Sequence, residues 1–297
     1  MTSQPSKQLP AGLRDRVLER LGFRELPALD LAGLRALYAA WCLAVPFDNV
    51  RKLMALRNGD GPRLPGGDAE EFFHAWLEDG AGGTCWPTSN ALYELVRAVG
   101  FDAQRVAASM RDLGLVNHGS VRVRIDGEAW LVDSSWLCNV PLPLGDEVFV
   151  QNGAFAIEVE PVDGTHVVWA HTPPNAAHLP CRIFAGSIDH AECLQRYEDS
   201  RTRSPFNQRL YARINRPGEL LLLVGNTRWS RTATRLDRRE LSADELCESL
   251  NRDIGMSEDL VAAWARSGAL EASLEPPAGP KPPEVTGVPP SRRRPVM

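Results

Sequence analysis

Three residues in this chain carry side chains that could act together: a thiol at Cys85, an imidazole at His118 and a carboxylate at Asp133. Cys85 ends the run Gly82-Gly83-Thr84-Cys85 and heads a segment that reads as a helix. The unpaired N–H groups at a helix N-terminus favour negative charge, so a thiol placed there ionises more readily. A nucleophilic cysteine needs a base beside it, and the base needs a partner that orients it. His118 and Asp133 are the candidates for those two roles. Such a trio attacks acyl carbonyls, with the Cys85 N–H and nearby loop N–H groups as oxyanion donors. Gly82 and Gly83 would let backbone and substrate approach closely.

The elements that must position these groups are legible on either side. Val121, Val123 and Ile125 alternate with Arg122 and Arg124, as in a half-buried strand. Asp126-Gly127 is a two-residue hairpin signal, with Ala129 to Val132 as the return strand. Such a turn pairs Ile125 with Glu128 and sets His118 opposite Ser135. Asp133, two residues earlier, then lies on the same face as the diagonal neighbour of His118, roughly 7–8 Å away at the backbone. This register joins the imidazole to the acid; it does not bring Cys85 to them. Taken singly, a cysteine at a helix start is more often a buried structural residue.

Helical spacing covers the residues before Cys85. Leu13, Val17 and Leu21 form one apolar stripe, and Leu34, Leu37, Tyr38 and Trp41 another, broken at Pro46. Asp68 caps a third helix over 68–78, with Phe72, Phe73, Trp76 and Leu77 as its apolar face. After Cys85, Leu92, Leu95, Val96 and Val99 repeat the pattern until Gly100. Short strands are expected through Val150, over Phe155 to Val159, over Val167 to Ala170 and over Arg182 to Gly186, with a crossing loop at Pro173-Pro174. Leu220 to Val224 reads as a buried strand and Arg228 to Leu236 as another. Ser242 and Glu245 form a capping box for a helix carrying Leu246 and Leu250, and Leu260 and Trp264 follow past Gly255. From Pro276 onward the chain is proline-rich and ends near Arg292-Arg293-Arg294, which reads as a disordered, solvated tail.

Bulk properties narrow the function classes. The 297 residues are 43% hydrophobic and 24% charged, ordinary for a globular protein. The net charge of −5 offers no nucleic-acid footprint. Met1 to Pro10 is polar and reads neither as a signal peptide nor as a membrane span. The six cysteines, Cys42, Cys85, Cys138, Cys181, Cys193 and Cys247, include no C-x-x-C pair and are expected as reduced thiols of a cytoplasmic protein. His166, His171, His178 and Cys181 share a stretch, but their spacing suits no common metal site.

The order of motifs resembles the arylamine N-acetyltransferase family. It runs from about residue 15 to 266 and includes Val17-Leu18-Glu19-Arg20-Leu21-Gly22, Val45-Pro46-Phe47-Asp48-Asn49, Gly82-Gly83-Thr84-Cys85, Asn117-His118, Leu131-Val132-Asp133 and Ser204-Pro205-Phe206. The resemblance implies an α+β fold with a papain-like cysteine-triad core: a helical bundle with the nucleophile over 1–100, an antiparallel β-barrel with His118 and Asp133 over 101–190, an α/β lid over 191–270 and a disordered Pro-rich tail over 271–297. It implies a Cys85-His118-Asp133 triad moving an acyl group from acetyl-CoA or another acyl thioester to a small-molecule amine, with no bound cofactor.

The chain departs from the family pattern at four places. Ala81 replaces the arginine of Arg-Gly-Gly, and Asp48 replaces the glutamate of Val-Pro-Phe-Glu-Asn, so the family's ion pair is expected to be missing. Trp86-Pro87-Thr88-Ser89-Asn90 replaces aromatic-Glu-x-Asn, with the Asn one place late. Ser134-Ser135-Trp136-Leu137 replaces Val-Gly-Phe-Gly. These segments line the family's pocket, so the resemblance carries the triad further than the substrate; Trp86 and Trp136 either reshape that pocket or fill core. An amide synthase acting on chains held by an acyl carrier protein uses the same residues, as does a cysteine hydrolase or transglutaminase-like enzyme. A silent binding protein on this scaffold is the remaining reading.

Overall fold

The computed structural model of this chain describes residues 8–59, 61–171, 178–276 and 289–290. The N-terminal part supplies helices α1 (Ala11–Arg20), α2 (Leu31–Ala44), α3 (Val50–Asn58), α4 (Ala69–Asp79) and α5 (Cys85–Val99), with the short strand β1 (Phe47–Asp48) between α2 and α3. Side-chain caps start α2 and α4: Asp30 accepts from the Gly33 amide at 2.8 Å and Asp68 from the Glu71 amide at 3.1 Å. Gly80, at φ 69°, ends α4 in the left-handed region open to glycine.

Helix α5 is buried on more than the expected apolar stripe. Every residue from Cys85 to Val99 except Arg97 is buried, as suits a central helix packed on several sides. Its polar members are satisfied in place. Thr88 Oγ1 donates to the Thr84 carbonyl at 2.7 Å, and Asn90 Nδ2 to the Gly67 carbonyl at 3.0 Å. The Arg105 guanidinium donates to Asn90 Oδ1 at 2.7 Å and pairs with Glu94.

The second part is an eight-stranded antiparallel sheet that curls into a nearly closed barrel. Its strands are β2 (Asp102–Met110), β3 (His118–Ile125), β4 (Glu128–Val132), β5 (Leu142–Pro143), β6 (Val148–Asn152), β7 (Phe155–Val162), β8 (Thr165–Ala170) and β9 (Leu179–Ser187), in the order β5-β4-β3-β2-β9-β8-β7-β6. The β3–β4 register pairs Ile125 with Glu128 and Val121 with Val132, as the hairpin signal requires. Asp126 and Gly127 take φ 51° and 84°, the two positive values of a tight strand-matched turn. Strand β2, which joins the two halves of the sheet, escaped the sequence reading because its burial does not alternate cleanly and it holds only one β-branched residue, Val106. The loop expected at Pro173-Pro174 lies outside the described residues.

The third part opens with α6 (His190–Asp199) and continues through β10 (Tyr211–Arg216), β11 (Glu219–Val224), β12 (Thr227–Arg231), β13 (Leu236–Glu240), α7 (Ala243–Ser249), α8 (Glu258–Trp264) and α9 (Leu270–Leu274). The antiparallel sheet runs β1-β10-β11-β12-β13, so its first strand comes from the N-terminal part. The single strand expected over Arg228 to Leu236 is instead a hairpin. Thr232 turns it, with its amide on the Arg235 carbonyl at 2.9 Å and its hydroxyl accepting from the Arg235 amide at 3.1 Å. The expected tail begins later than residue 271, because α9 extends through Leu274. Beyond Pro276 only Pro289 and Pro290, both buried, are described, and Arg292 to Arg294 lie outside.

Among the described residues two hydrophobic cores result. One joins α1, α2, α4 and α5 to the inside of the barrel. The other holds Ala212, Ile214, Leu221, Leu223, Leu246, Leu250 and Trp264 together with Val50 and Leu53 of α3. Helix α3, early in the chain, therefore packs with the C-terminal part.

Candidate active site

Cys85 is the first residue of α5, and the turn before it is stitched to β1. Gly82 donates its amide to Asp48 Oδ2 at 2.7 Å, and Asp48 donates its own amide to the Gly83 carbonyl at 3.0 Å. A Cβ on Gly82 would lie 1.8 Å from the Pro46 carbonyl oxygen, so the turn admits only glycine there. Asp48 also accepts from the Val50 amide at 2.9 Å, at the start of α3. The carboxylate with no arginine at position 81 thus bonds backbone amides instead. Burial raises it to about 6, and the two amide bonds only partly offset this.

His118 begins β3, directly against α5. The approach depends on Gly119: a Cβ there would sit 2.6 Å from Trp86 Cε3 and 2.8 Å from Ser89 Oγ. Asn117 fixes the preceding loop, accepting from the Met110 amide at 2.7 Å. Cys85 Sγ lies 4.0 Å from the carbonyl of Asn117, the residue just before His118, which puts the sulfur beside the ring. The Nε2 edge of the ring is taken, 2.7 Å from Asp133 Oδ2. The structure therefore brings Cys85, His118 and Asp133 together, and all three are buried.

Asp133 is held on every side. Oδ1 accepts from the Ser135 and Trp136 amides at 2.8 and 3.0 Å. Its backbone carbonyl accepts from the Tyr38 hydroxyl at 2.6 Å, and its amide donates back to the same oxygen at 3.2 Å. Burial would raise this carboxyl, but the His118 charge and bond, with the two amides, hold it below the usual range. Burial would likewise lower His118, but the Asp133 charge and bond, with Cys85 nearby, hold the ring up at about 10. At neutral pH the pair is ionised.

Both tryptophans singled out in the sequence are buried at this centre. Trp86 packs at the α5–β3 contact, and the Trp136 ring lies 5.8 Å from the His118 ring at 34°. Further polar groups were missed by sequence reading. Tyr38 was read as core, which it is apart from its hydroxyl. Lys52 of α3 is buried, donates to Ser200 Oγ at 2.8 Å, and is pushed down to about 8 by burial against the pull of the Cys85 charge. Arg213 of β10 is buried and bonds the Trp136 carbonyl. The last two read in sequence as ordinary surface charges, and no spacing marks them. Among the described residues no three His, Cys, Asp or Glu side chains group as a metal site, and no helix is long and apolar enough to cross a membrane.

A sequence model described as N-acetyltransferase matches residues 30–261. Similar solved structures include a Mycobacterium smegmatis arylamine N-acetyltransferase (TM-score 0.74, 18% identity, 86% of this chain and 97% of that one). A Mycobacterium marinum arylamine N-acetyltransferase in complex with CoA matches with the same TM-score of 0.74 and 18% identity, over 87% and 97% of the two chains. The Salmonella typhimurium enzyme of the same description gives 0.74 at 17% identity, over 87% and 100%. At these identities the likeness is one of fold. A curated relative, proansamycin X synthase of Amycolatopsis mediterranei (strain S699), is 26% identical over 121 residues, 39% of this chain and 45% of that protein, so the match spans less than half of its length.

Proposed function

We propose, from the premise that this chain belongs to the arylamine N-acetyltransferase family, that it transfers acyl groups through a thioester on Cys85, with His118 as proton shuttle and Asp133 as the acid that orients the ring. The observation that supports this most directly is the convergence itself: one buried imidazole 2.7 Å from Asp133, with the Cys85 sulfur 4.0 Å from the carbonyl of the adjoining Asn117.

The steps follow from that geometry. In the resting relay His118 already carries the proton that the Cys85 thiol gives up, so thiolate stands beside imidazolium. The sulfur attacks the carbonyl of an acyl thioester, and N–H groups at the start of α5 face the developing oxyanion. The donor's C–S bond breaks, and its thiolate leaves with the proton from His118. An amine then attacks the Cys85 thioester, gives a proton to His118 and leaves as the amide, restoring the thiolate–imidazolium pair. We take acetyl-CoA as the first donor to test, since a structural neighbour is a complex with CoA, and a small-molecule amine as acceptor. Incubation with a panel of acyl-CoA and acyl-carrier thioesters should add one acyl mass to Cys85 and none to Cys85→Ala. A panel that leaves no adduct while iodoacetamide still alkylates Cys85 would sink the reading.

A second reading, amide synthesis on carrier-bound chains, is favoured by the partial likeness to proansamycin X synthase and by Trp136 in place of the family's smaller ring beside His118. Loading of Cys85 from a carrier thioester but not from CoA separates it from the first. Preferred transfer to water would favour a hydrolase instead.

A further inference from the structure

We propose that Arg213 and Asn215 are positioning residues for Asp133: from the C-terminal sheet they clamp the Trp136–Asn139 turn, whose first amide, that of Trp136, bonds the acid. The proposal rests on the reading of Cys85, His118 and Asp133 as a triad.

Alternate residues of a strand share a face. Along β10, Ala212 and Ile214 point into the second core. Arg213 and Asn215 lie on the opposite face, and each is only 2% exposed. Arg213 donates to the Trp136 carbonyl, and Asn215 to the Leu137 carbonyl and, at 2.9 Å, to Asn139 Oδ1. Both cross from the C-terminal sheet to the loop that follows the acid.

That loop is conformationally costly. Leu137 holds φ 51° and Asn139 φ 65°, the left-handed region that a leucine rarely enters. Such a backbone persists only where its surroundings overdetermine it. Here the determinants are bonds to consecutive carbonyls, 136 and 137, from two side chains of one strand.

Arg213 has no other ionic reason to be buried. Among the described residues no carboxylate pairs with it. Its Nε has no hydrogen-bond partner, and its guanidinium carbon stands 5.6 Å from the Phe155 ring centre. A buried cation without an acid is costly unless its bonds are valuable in place. The titratable groups around it are Tyr211, Cys138, Cys42 and Tyr38.

Trp136 connects the clamp to the chemistry. Its carbonyl faces Arg213, its amide donates to Asp133 Oδ1 at 3.0 Å, and its ring lies over His118. Release of the carbonyls lets the turn relax toward an ordinary backbone and swings the amide away from Asp133. The carboxylate then orients and charges less effectively against the ring. The ionisable side chains beside His118 are Asp133 and Cys85.

The test is ¹⁵N-histidine NMR on the full chain, with the His118 resonances assigned through His118→Gln. In the wild type His118 should keep its extra proton to near pH 10. In Arg213→Gln and Asn215→Ala the midpoint should fall by about one unit or more, with kcat down about tenfold and KM changed less than twofold. Arg213→Lys, which keeps one donor, should fall between. An unchanged His118 midpoint in the folded variants overturns the proposal, whatever their activity. If Arg213→Gln does not fold, Asn215→Ala decides alone. The NMR reading needs no substrate, so a midpoint shift alongside a failed acyl-donor panel would sink the reaction and keep the clamp.

Discussion

Tyr38 replaces the strand ladder at Asp133. The β3–β4 pairing ends at Val121 and Val132, one residue before the acid. Beyond it the Asp133 carbonyl and amide both turn to the Tyr38 hydroxyl of α2, at 2.6 and 3.2 Å. The acid is thus released from the sheet geometry and fixed by a helix 95 residues away in sequence.

Tyr38→Phe tests this directly. The ring stays and the oxygen goes, leaving a buried carbonyl and amide without that partner. The expected loss is about 1–3 kcal/mol in urea unfolding. Acyl transfer should fall further than this loss of folded protein explains. Activity equal to wild type in the folded variant would show that the ladder end alone orients Asp133.

Asp133→Asn should cost far more in activity than in structure. An amide beside Nε2 favours the wrong ring tautomer, an effect worth about 10⁴ in rate for triads of this logic. The pH dependence should move with it. His118 titrates at about 10 in the fold against an ordinary 6.5, so its contribution to stability is complete below pH 6.5 and lost as pH rises through 10. Asp133 shifts the other way, so its contribution is present above pH 3.8 and lost as pH falls through its lower folded value. Wild-type activity should therefore decline on the alkaline side near pH 10, and the asparagine variant should lose this late decline. A pH–rate profile of each protein checks both statements.

Gly119→Ala should separate the sulfur from the ring. The new methyl would overlap Trp86 Cε3 at 2.6 Å and Ser89 Oγ at 2.8 Å, both within packed structure. Overpacking of this kind costs about 1–3 kcal/mol and shifts backbone. Because β3 carries His118 and α5 carries Cys85, the shift falls on the proposed base and nucleophile. The expected result is slower acylation of Cys85, read by rapid-quench mass measurement, with Tm lowered by several degrees. Unaltered acylation would mean that the contact absorbs a methyl elsewhere.

Asp48 sets a stability signature in mild acid. Its folded value of about 6 exceeds the ordinary 3.8, so folding favours the protonated form. Its contribution to stability therefore falls as pH rises from about 4 to 6 and is level above that. The shift corresponds to at most about 3 kcal/mol. Unfolding free energies of the wild type minus those of Asp48→Asn should decrease over this window and then stay constant. A difference independent of pH would show that Asp48 stays ionised throughout.

Much of the local arrangement was legible in the chain itself. The Asp126-Gly127 turn demands positive φ at two positions, and strand alternation then carries the register back to Val121 and Val132, where the ladder stops short of the expected His118–Ser135 pair. Gly82 and Gly83 followed by Thr84 set a helix start at Cys85, and Asp68, Ser242 and Glu245 mark caps that form as read. These signals are short-range, written in backbone conformational preference and in periods of two or 3.6 residues. Strand β2, with its irregular burial, and the Thr232 hairpin, set among exposed arginines, carried no such period and went unread.

Tertiary structure decided what no spacing encodes. How near Cys85 comes to the ring depends on a bare Gly119 against Trp86. How Asp133 is aimed depends on Tyr38 from one side and the Trp136 turn from the other. Lys52 and Arg213 look like surface charges until packing removes their water. Side-chain period places a residue on a face, whereas the distance between two faces follows from the volumes packed between them and from the long-range hydrogen bonds that those volumes shield.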